Sequence, residues 1–315
     1  MQKESINFLV TGGAGHIGST LCKELVNISD AKVTIVDNLL TGEVSNIKEI
    51  LDKVTFIDKD INDKDTLKIL DKEKFDYIFH YAAVVGVKRT QENPLMVLED
   101  IVGIKNVLDL GRSSKSKRVF FASSSEVYGE PVEVPQNEET TPLNSRIPYA
   151  VVKNIGESFF RAYQKEYNLP YTILRFFNTY GPHQSEDFVI SRFIKSAIDN
   201  KPITIYGDGK QSRTFLHVKD NIDFTLKILD EDLLINDVVN VGSDKEISIL
   251  DLANLIIELS KSSSEINFLD PLKEGDMSRR MPDISKYNQV YERELLPLNS
   301  GISELINIRL DEFEE

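Results

Sequence analysis

The sequence predicts a doubly wound α/β fold, a parallel sheet covered on both faces by helices, followed by a smaller mixed α/β lobe. Three observations carry this reading. Short runs that are apolar throughout alternate with amphipathic stretches along the first half of the chain, as strands buried on both faces require. The first of these runs leads directly into a glycine-rich turn and then a helix. Near Asn178 the alternation stops, and Gly and Pro begin to interrupt shorter elements.

Taken in order, Ile6–Thr11 (INFLVT) is the first expected strand, and Ile17, Leu21, Leu25 and Val26 mark the helix behind the glycine turn. Ala31–Asp37 (AKVTIVD) is the second strand and Val54–Asp58 (VTFID) the third, with a helix beginning over 66–70. Residues 77–83 (YIFHYAA) and 118–123 (RVFFAS) are the fourth and fifth, separated by a helix around 96–110. A helix over 149–167 precedes the sixth strand, 171–177 (YTILRFF). Beyond it, Gly181–Pro182 and the glycines at 207 and 209 punctuate helices at 189–198 and 249–259. Residues 238–241 (VVNV) are apolar and flanked by helices, so they are expected to rejoin the main sheet. The expected division is 1–177, joined by a return segment near 214–245, and a second lobe from 178–213 and 246–315. Residues 260–264 are expected to turn, and 311–315 to form a solvated acidic tail. No repeat or low-complexity linker is visible.

Charge and composition exclude several roles. Lys and Arg number 37 against 51 Asp and Glu, a formal charge of −14. A chain this acidic lacks the clustered positive charge that polynucleotides or anionic membrane surfaces attract. The longest apolar run, 81–87, is seven residues, far short of the roughly 18 that span a bilayer. The N-terminal sequence lacks the features of a secretory signal, and the lone Cys22 suits a reducing compartment, so a cytoplasmic location is expected.

Gly12 and Gly13-Ala14-Gly15-His16-Ile17-Gly18 form G-x-x-G-x-x-G between a strand and a helix, and Asp37 ends the second strand. Such glycines let backbone approach a pyrophosphate at a helix N-terminus. A carboxylate at that strand end accepts from ribose hydroxyls and repels a 2′-phosphate, which favours NAD over NADP. Asp60 and Ile61 would meet the adenine ring; a strand-end acid in an acidic loop reads equally well. Ala82 and Ala83 are small enough to let backbone lie against a cofactor, and His80 reads as a core histidine. The fifth strand ends in Ser123-Ser124-Ser125-Glu126, and Tyr149 and Lys153 stand four apart, on one helical face. A lysine ammonium there would lower the pKa of the phenol, and a Ser hydroxyl would bond the same substrate oxygen. No metal site is expected.

G-x-x-G-x-x-G, Y-x-x-x-K and the SSSEVYG strand end together resemble the extended short-chain dehydrogenase/reductase family, in its nucleotide-sugar epimerase/dehydratase branch. YAAVVGVKRTQENP, PYAVVKNIGE, LRFFNTYGP, ITIYGDGKQSRTFLHVKD and GDMSRRMPDISK extend the likeness over most of the chain. The resemblance implies a Rossmann-type domain for NAD and a C-terminal lobe for a nucleoside-diphosphate sugar. It implies Ser124, Tyr149 and Lys153 as the triad, with Asp37, Asn38, Asp60 and Ile61 at adenosine and Phe177 near the nicotinamide. Asn178, Arg213 and Arg279 would hold the diphosphate or nucleotide. Asp100, where the family usually has Asn, and Val152, where Ser or Ala is commoner, depart from the pattern. A homodimer paired through the helices near 96–110 and 149–167 is also implied.

Enzymes of this branch oxidise the sugar at C4. A 4-epimerase then returns the hydride to the other face of the ketone and needs no further acid or base. A 4,6-dehydratase, a uronate decarboxylase and a 4-dehydrogenase differ in the next step. Ser125-Glu126 resembles the pair in GDP-mannose dehydratases and UDP-glucuronate decarboxylases, and Glu126 is a candidate C5 base or a backbone hydrogen-bonder. The 4-epimerase is the leading expectation, with those reactions and a non-catalytic NAD-binding scaffold as alternatives.

Overall fold

The computed structural model describes residues 5–271 and 279–314. In order, its elements are β1 (Ile6–Thr11), α1 (His16–Leu25), β2 (Ala31–Asp37), β3 (Val54–Asp58), α2 (Lys64–Leu70), β4 (Tyr77–His80), α3 (Val87–Glu92), α4 (Pro94–Ser114), β5 (Arg118–Ser124) and α5 (Pro148–Tyr167). Then come β6 (Tyr171–Phe176), β7 (Thr179–Tyr180), α6 (Val189–Ile198), β8 (Ile203–Tyr206), β9 (Ser212–Thr214), β10 (Leu216–His217) and α7 (Val218–Asp230). The chain closes with β11 (Asp237–Val241), β12 (Glu246–Ser248), α8 (Ile249–Ser260), β13 (Ile266–Leu269), β14 (Arg279–Arg280), α9 (Ser285–Val290) and α10 (Leu298–Glu314). Short 3-10 turns add Val44–Ile50 and Ser125–Tyr128.

Seven strands form one sheet in the order β11-β6-β5-β4-β1-β2-β3, and every pairing in it is parallel. The expected α/β class is what the structure has. Its two faces bury separate apolar clusters, one around Phe8, Leu21, Phe79 and Phe224, the other around Leu9, Ile104, Phe121 and Phe160. Such a sheet leaves a crevice at the carboxyl ends of its strands, where the order reverses between β1 and β4. The strand at 238–241 does lie in this sheet, beside β6. The later residues build a third cluster around Phe193, Ile205, Leu252 and Ile302, with β8–β13 paired and β12-β9-β14 forming a small sheet.

Several boundaries differ from the sequence reading, β5 for one running on to Ser124. β4 stops at His80, because residues 81–86 peel away where Ala82 backbone packs on Gly12 and Gly86 turns at φ 101°. β6 stops at Phe176. Residues 311–314 of the acidic end are helical rather than loose, since α10 runs on to Glu314 from an anchor of buried Ile302, Leu305 and Ile306, and Glu315 lies outside the described residues.

Candidate active site

A cavity of about 610 Å³ runs from the β1–α1 turn, along the carboxyl ends of β4 and β5, to the start of α6. Its first half is built by glycine. Gly12 adopts φ +72°, and a Cβ there would fall 2.6 Å from the Ala82 amide nitrogen. A Cβ on Gly18 would fall 2.1 Å from the Gly12 carbonyl oxygen. The turn is thus compressed to backbone-on-backbone contact, and Gly15, the N-cap of α1, places no side chain over the helix amides. Asp37 ends β2 beside this cradle, its carboxylate accepting from the Ala14 amide at 2.9 Å and the Leu39 amide at 2.8 Å. Burial pushes its carboxyl up, and those two bonds oppose the rise. Each oxygen keeps lone-pair capacity for a ribose hydroxyl.

Asn38 Nδ2 donates to Asp60 Oδ2 at 2.9 Å, so the two form one rim of the cavity, with Ile61 in the wall behind. Ala82 and Ala83 line the floor. His16 Nδ1 stands 2.7 Å from the Pro182 carbonyl, which ties α1 to the segment after β7. Burial pushes this imidazole down to about 4. A backbone cradle closed to any Cβ, an uncovered helix start and a strand-end carboxylate fit a dinucleotide.

β5 delivers Ser124 to the middle of the cavity, and Pro148 at the first position of α5 fixes the start of the helix that carries Tyr149 and Lys153. Ser124 Oγ accepts from the Glu126 amide at 3.1 Å and bonds the Tyr149 phenol. Lys153 is 3% exposed, its Nζ 5.0 Å from the Phe121 ring centroid and 5.6 Å from that of Tyr149. Burial pushes this ammonium down to about 8, with Asp100 opposing. The phenol of Tyr149 is pushed up rather than down, by burial first and then by the Glu126 charge. The expected lowering is therefore corrected: stripping water from the phenolate dominates, the Glu126 and Asp100 charges add to the rise, and the groups that pull the other way are Ser124 and Arg280.

Glu126 Oε1 pairs with Arg280 Nη1 at 2.9 Å, and its Oε2 is buried without a partner among the described residues. Ser125 Oγ lies 3.5 Å from the same Arg280 nitrogen. Asn178 lines the cavity and donates to the Thr214 carbonyl at 2.9 Å.

The structure does not bring three of the expected residues to the cavity wall. Arg279 is turned outward and pairs with Glu246, while Arg280 faces the site; successive residues of β14 point to opposite sides. Phe177 is buried against Val127 and Tyr128, and its neighbour Phe176 takes the wall position, edge-on to Tyr81 at 5.7 Å between centroids. Arg213 is 9% exposed in β9 and donates to the Ser212 carbonyl at 2.8 Å, outside the lining. Asp100 lies in the wall and accepts from the Val84 amide at 2.8 Å, holding the segment that leaves β4. His80 is 2% exposed, bonded to Thr11 at 2.8 Å and stacked on Phe121. Among the described residues no group of three His, Cys, Asp or Glu side chains is set to hold a metal ion.

The family model for the NAD dependent epimerase/dehydratase family matches residues 8–242, and the chain belongs to that family. It is an NAD-dependent enzyme of the Rossmann type. It is 36% identical over 296 residues to a UDP-N-acetyl-alpha-D-glucosaminuronate decarboxylase of Bacillus cytotoxicus, covering 90% of each chain. It is 35% identical over 309 residues to a putative UDP-glucose 4-epimerase of Methanocaldococcus jannaschii, covering 95% of this chain and 97% of that one. The crystal structure of a UDP-glucuronic acid 4-epimerase from Bacillus cereus, in complex with UDP-glucuronic acid and NAD, superposes with a TM-score of 0.87. That match is at 31% identity and covers 96% of this chain and 100% of the other.

Proposed function

We propose that the protein is a 4-epimerase of UDP-sugars that works through a 4-keto intermediate. The single observation carrying this reading is the convergence of Ser124, Tyr149 and Lys153 on one cavity that continues the dinucleotide cradle. NAD, held by Gly12, Gly15, Gly18 and Asp37, supplies the hydride acceptor when bound. Tyr149 takes the proton of the sugar C4 hydroxyl, and Ser124 donates to the same oxygen. Lys153, buried and cationic below about pH 8, supports the phenolate as it forms. Because burial holds the free phenol up, proton transfer is coupled to the oxidation rather than completed beforehand. The resulting ketone then turns its other face and takes the same hydride back at C4, while Tyr149 returns the proton to its oxygen.

The relatives' UDP-sugars and the cavity's continuation toward Asn178, Gln184 and Phe188 support a uridine diphosphate in the far half. The engagement of Glu126 by Arg280 supports a simple epimerase, since it withdraws one carboxylate oxygen from chemistry. A second reading, decarboxylation of a UDP-uronate, is favoured by the other oxygen, Glu126 Oε2, buried without a partner beside the triad. Product analysis with UDP-glucose and UDP-glucuronate separates them: epimers are expected, and release of carbon dioxide with a pentose product would establish the second reading. Glu126→Gln should leave an epimerase with most of its rate and stall a decarboxylase or dehydratase after C4 oxidation.

A homodimer belongs to the same proposal. α4 presents Leu95, Leu98 and Val102 on one exposed face, at 76%, 38% and 50% exposure, and packs against α5. No helix among the described residues is long and apolar enough to cross a membrane, and the buried, unpaired Cys22 supports a reducing cytosol.

A further inference from the structure

Tyr149, Lys153 and Glu157 succeed one another at four-residue steps along α5 and share one face. Such spacing ordinarily lets a lysine and a glutamate pair, and a Lys153 paired with Glu157 would be drawn a full turn away from Tyr149. The Glu157 carboxylate, wholly buried, is instead held by other donors. Arg175 donates through Nε to Oε1 at 2.9 Å and through Nη2 to Oε2 at 2.7 Å. Ser123 donates to Oε1 at 2.7 Å, and half-exposed Arg161 to Oε2 at 3.1 Å. The Phe121 ring packs under the intervening turn, so tightly that a Cβ on Gly156 would fall 2.5 Å from it.

The same guanidinium reaches the other side of the site. Arg175 Nη1 donates to the Tyr128 hydroxyl at 2.8 Å, and that hydroxyl donates to Asn240 Oδ1 at 2.7 Å. Tyr128 closes the 3-10 turn that carries Ser125 and Glu126. One buried fork therefore joins α5, β6, β11 and the turn beside Ser124.

We infer that Arg175 is a positioning residue for the C4 oxidation proposed for this site: it keeps the Glu157 carboxylate from capturing Lys153, and it pins the Ser125–Tyr128 turn against α5. Removing the guanidinium leaves Glu157 an incompletely compensated buried charge, with Lys153 the buried cation one turn away. The freed carboxylate, rather than the missing arginine, then does most of the damage.

That distinction gives the test. In the holoenzyme, Arg175→Met is expected to lower kcat by about 100-fold while KM for the nucleotide sugar moves by less than about 3-fold. Adding Glu157→Gln should bring kcat back to within about 10-fold of wild type. A double variant no better than the single overturns the inference; a purely structural pair would also be relieved by the second change but would leave the Lys153 titration unmoved, so that titration separates the two. An independent readout is the titration of Lys153 followed by carbon-13 methylation and NMR. The groups facing it are Tyr149 on its own helix, Asp100 on α4 and His80 on β4. Against a wild-type value near 8, the single variant should titrate higher and the double should return. An unmoved Lys153 in folded Arg175→Met also overturns it. If that variant fails to fold, Arg175→Lys decides: it keeps the charge beside Glu157 but not the fork that also holds Tyr128, so Lys153 should titrate as in wild type while kcat falls, and a raised Lys153 titration contradicts the inference. Wild-type protein inactive on every nucleotide sugar, with the titrations as expected, would remove the C4 reading alone.

Discussion

Replacing Gly18 by alanine tests the cofactor cradle where its geometry is least forgiving. The new Cβ would sit 2.1 Å from the Gly12 carbonyl oxygen and 2.9 Å from the Gly12 carbon and Gly13 Cα, against ordinary contact from 3.4 Å. The obstacles are backbone, so no rotamer change relieves them. Either α1 or the turn must retreat by roughly 1.3 Å, taking the helix amides with it. Overpacking of this kind costs about 1–3 kcal/mol in stability. Misplacement by about 1 Å costs on the order of 100-fold in catalysis. The expected outcome is a folded protein with a lowered Tm that purifies with little NAD. Measuring NAD released on denaturation, per mole of protein, checks it alongside a thermal melt. Wild-type NAD content with an unshifted Tm would refute the claim that this turn must pack without side chains to cradle the dinucleotide.

Tyr149→Phe should remove turnover by at least about 100-fold, with NAD content retained; full activity would exclude the phenol from the chemistry. His80 is held down to about 3 by burial and by the Lys153 charge. Below its unfolded value of 6.5 only the unfolded chain takes that proton, so the folded state loses stability as pH falls from 6.5 toward 3. The slope is up to about 1.4 kcal/mol per pH unit, and melts from pH 7 to 5 should flatten by one proton in His80→Asn. Val102→Glu with Leu98→Glu places charges on the exposed face of α4 and should yield monomers in sedimentation, where the proposed wild-type assembly should sediment as a dimer; a wild type sedimenting as a monomer would refute that assembly.

Much of this architecture was legible in the sequence because burial on both faces of a parallel sheet removes polar residues from whole strands. INFLVT, AKVTIVD and RVFFAS carry that signature without help from distant residues. The glycine turn was legible for a related reason, since its contacts are local. What sequence could not resolve was facing. Phe176 and Phe177 are adjacent, as are Arg279 and Arg280, and only strand pairing decides which of each pair meets the cavity. The direction of the Tyr149 shift was likewise out of reach, because it depends on how completely the folded chain strips water from the phenol and on charges brought in from Glu126, Asp100 and Arg280. Arg175 reads as an anomaly in a buried strand until Glu157, 18 residues earlier, is seen to meet it.

The most direct test of the central claim follows the hydrogen at C4. Purified protein is incubated with UDP-glucose bearing deuterium at C4, and the product is examined by NMR and mass spectrometry. If Tyr149 and the adjoining cradle perform a shielded oxidation and return, the product is the C4 epimer with its deuterium still on C4. An epimer carrying solvent hydrogen at C4 would contradict the account, as would unchanged label and configuration with C4-deuterated UDP-glucose and UDP-glucuronate alike.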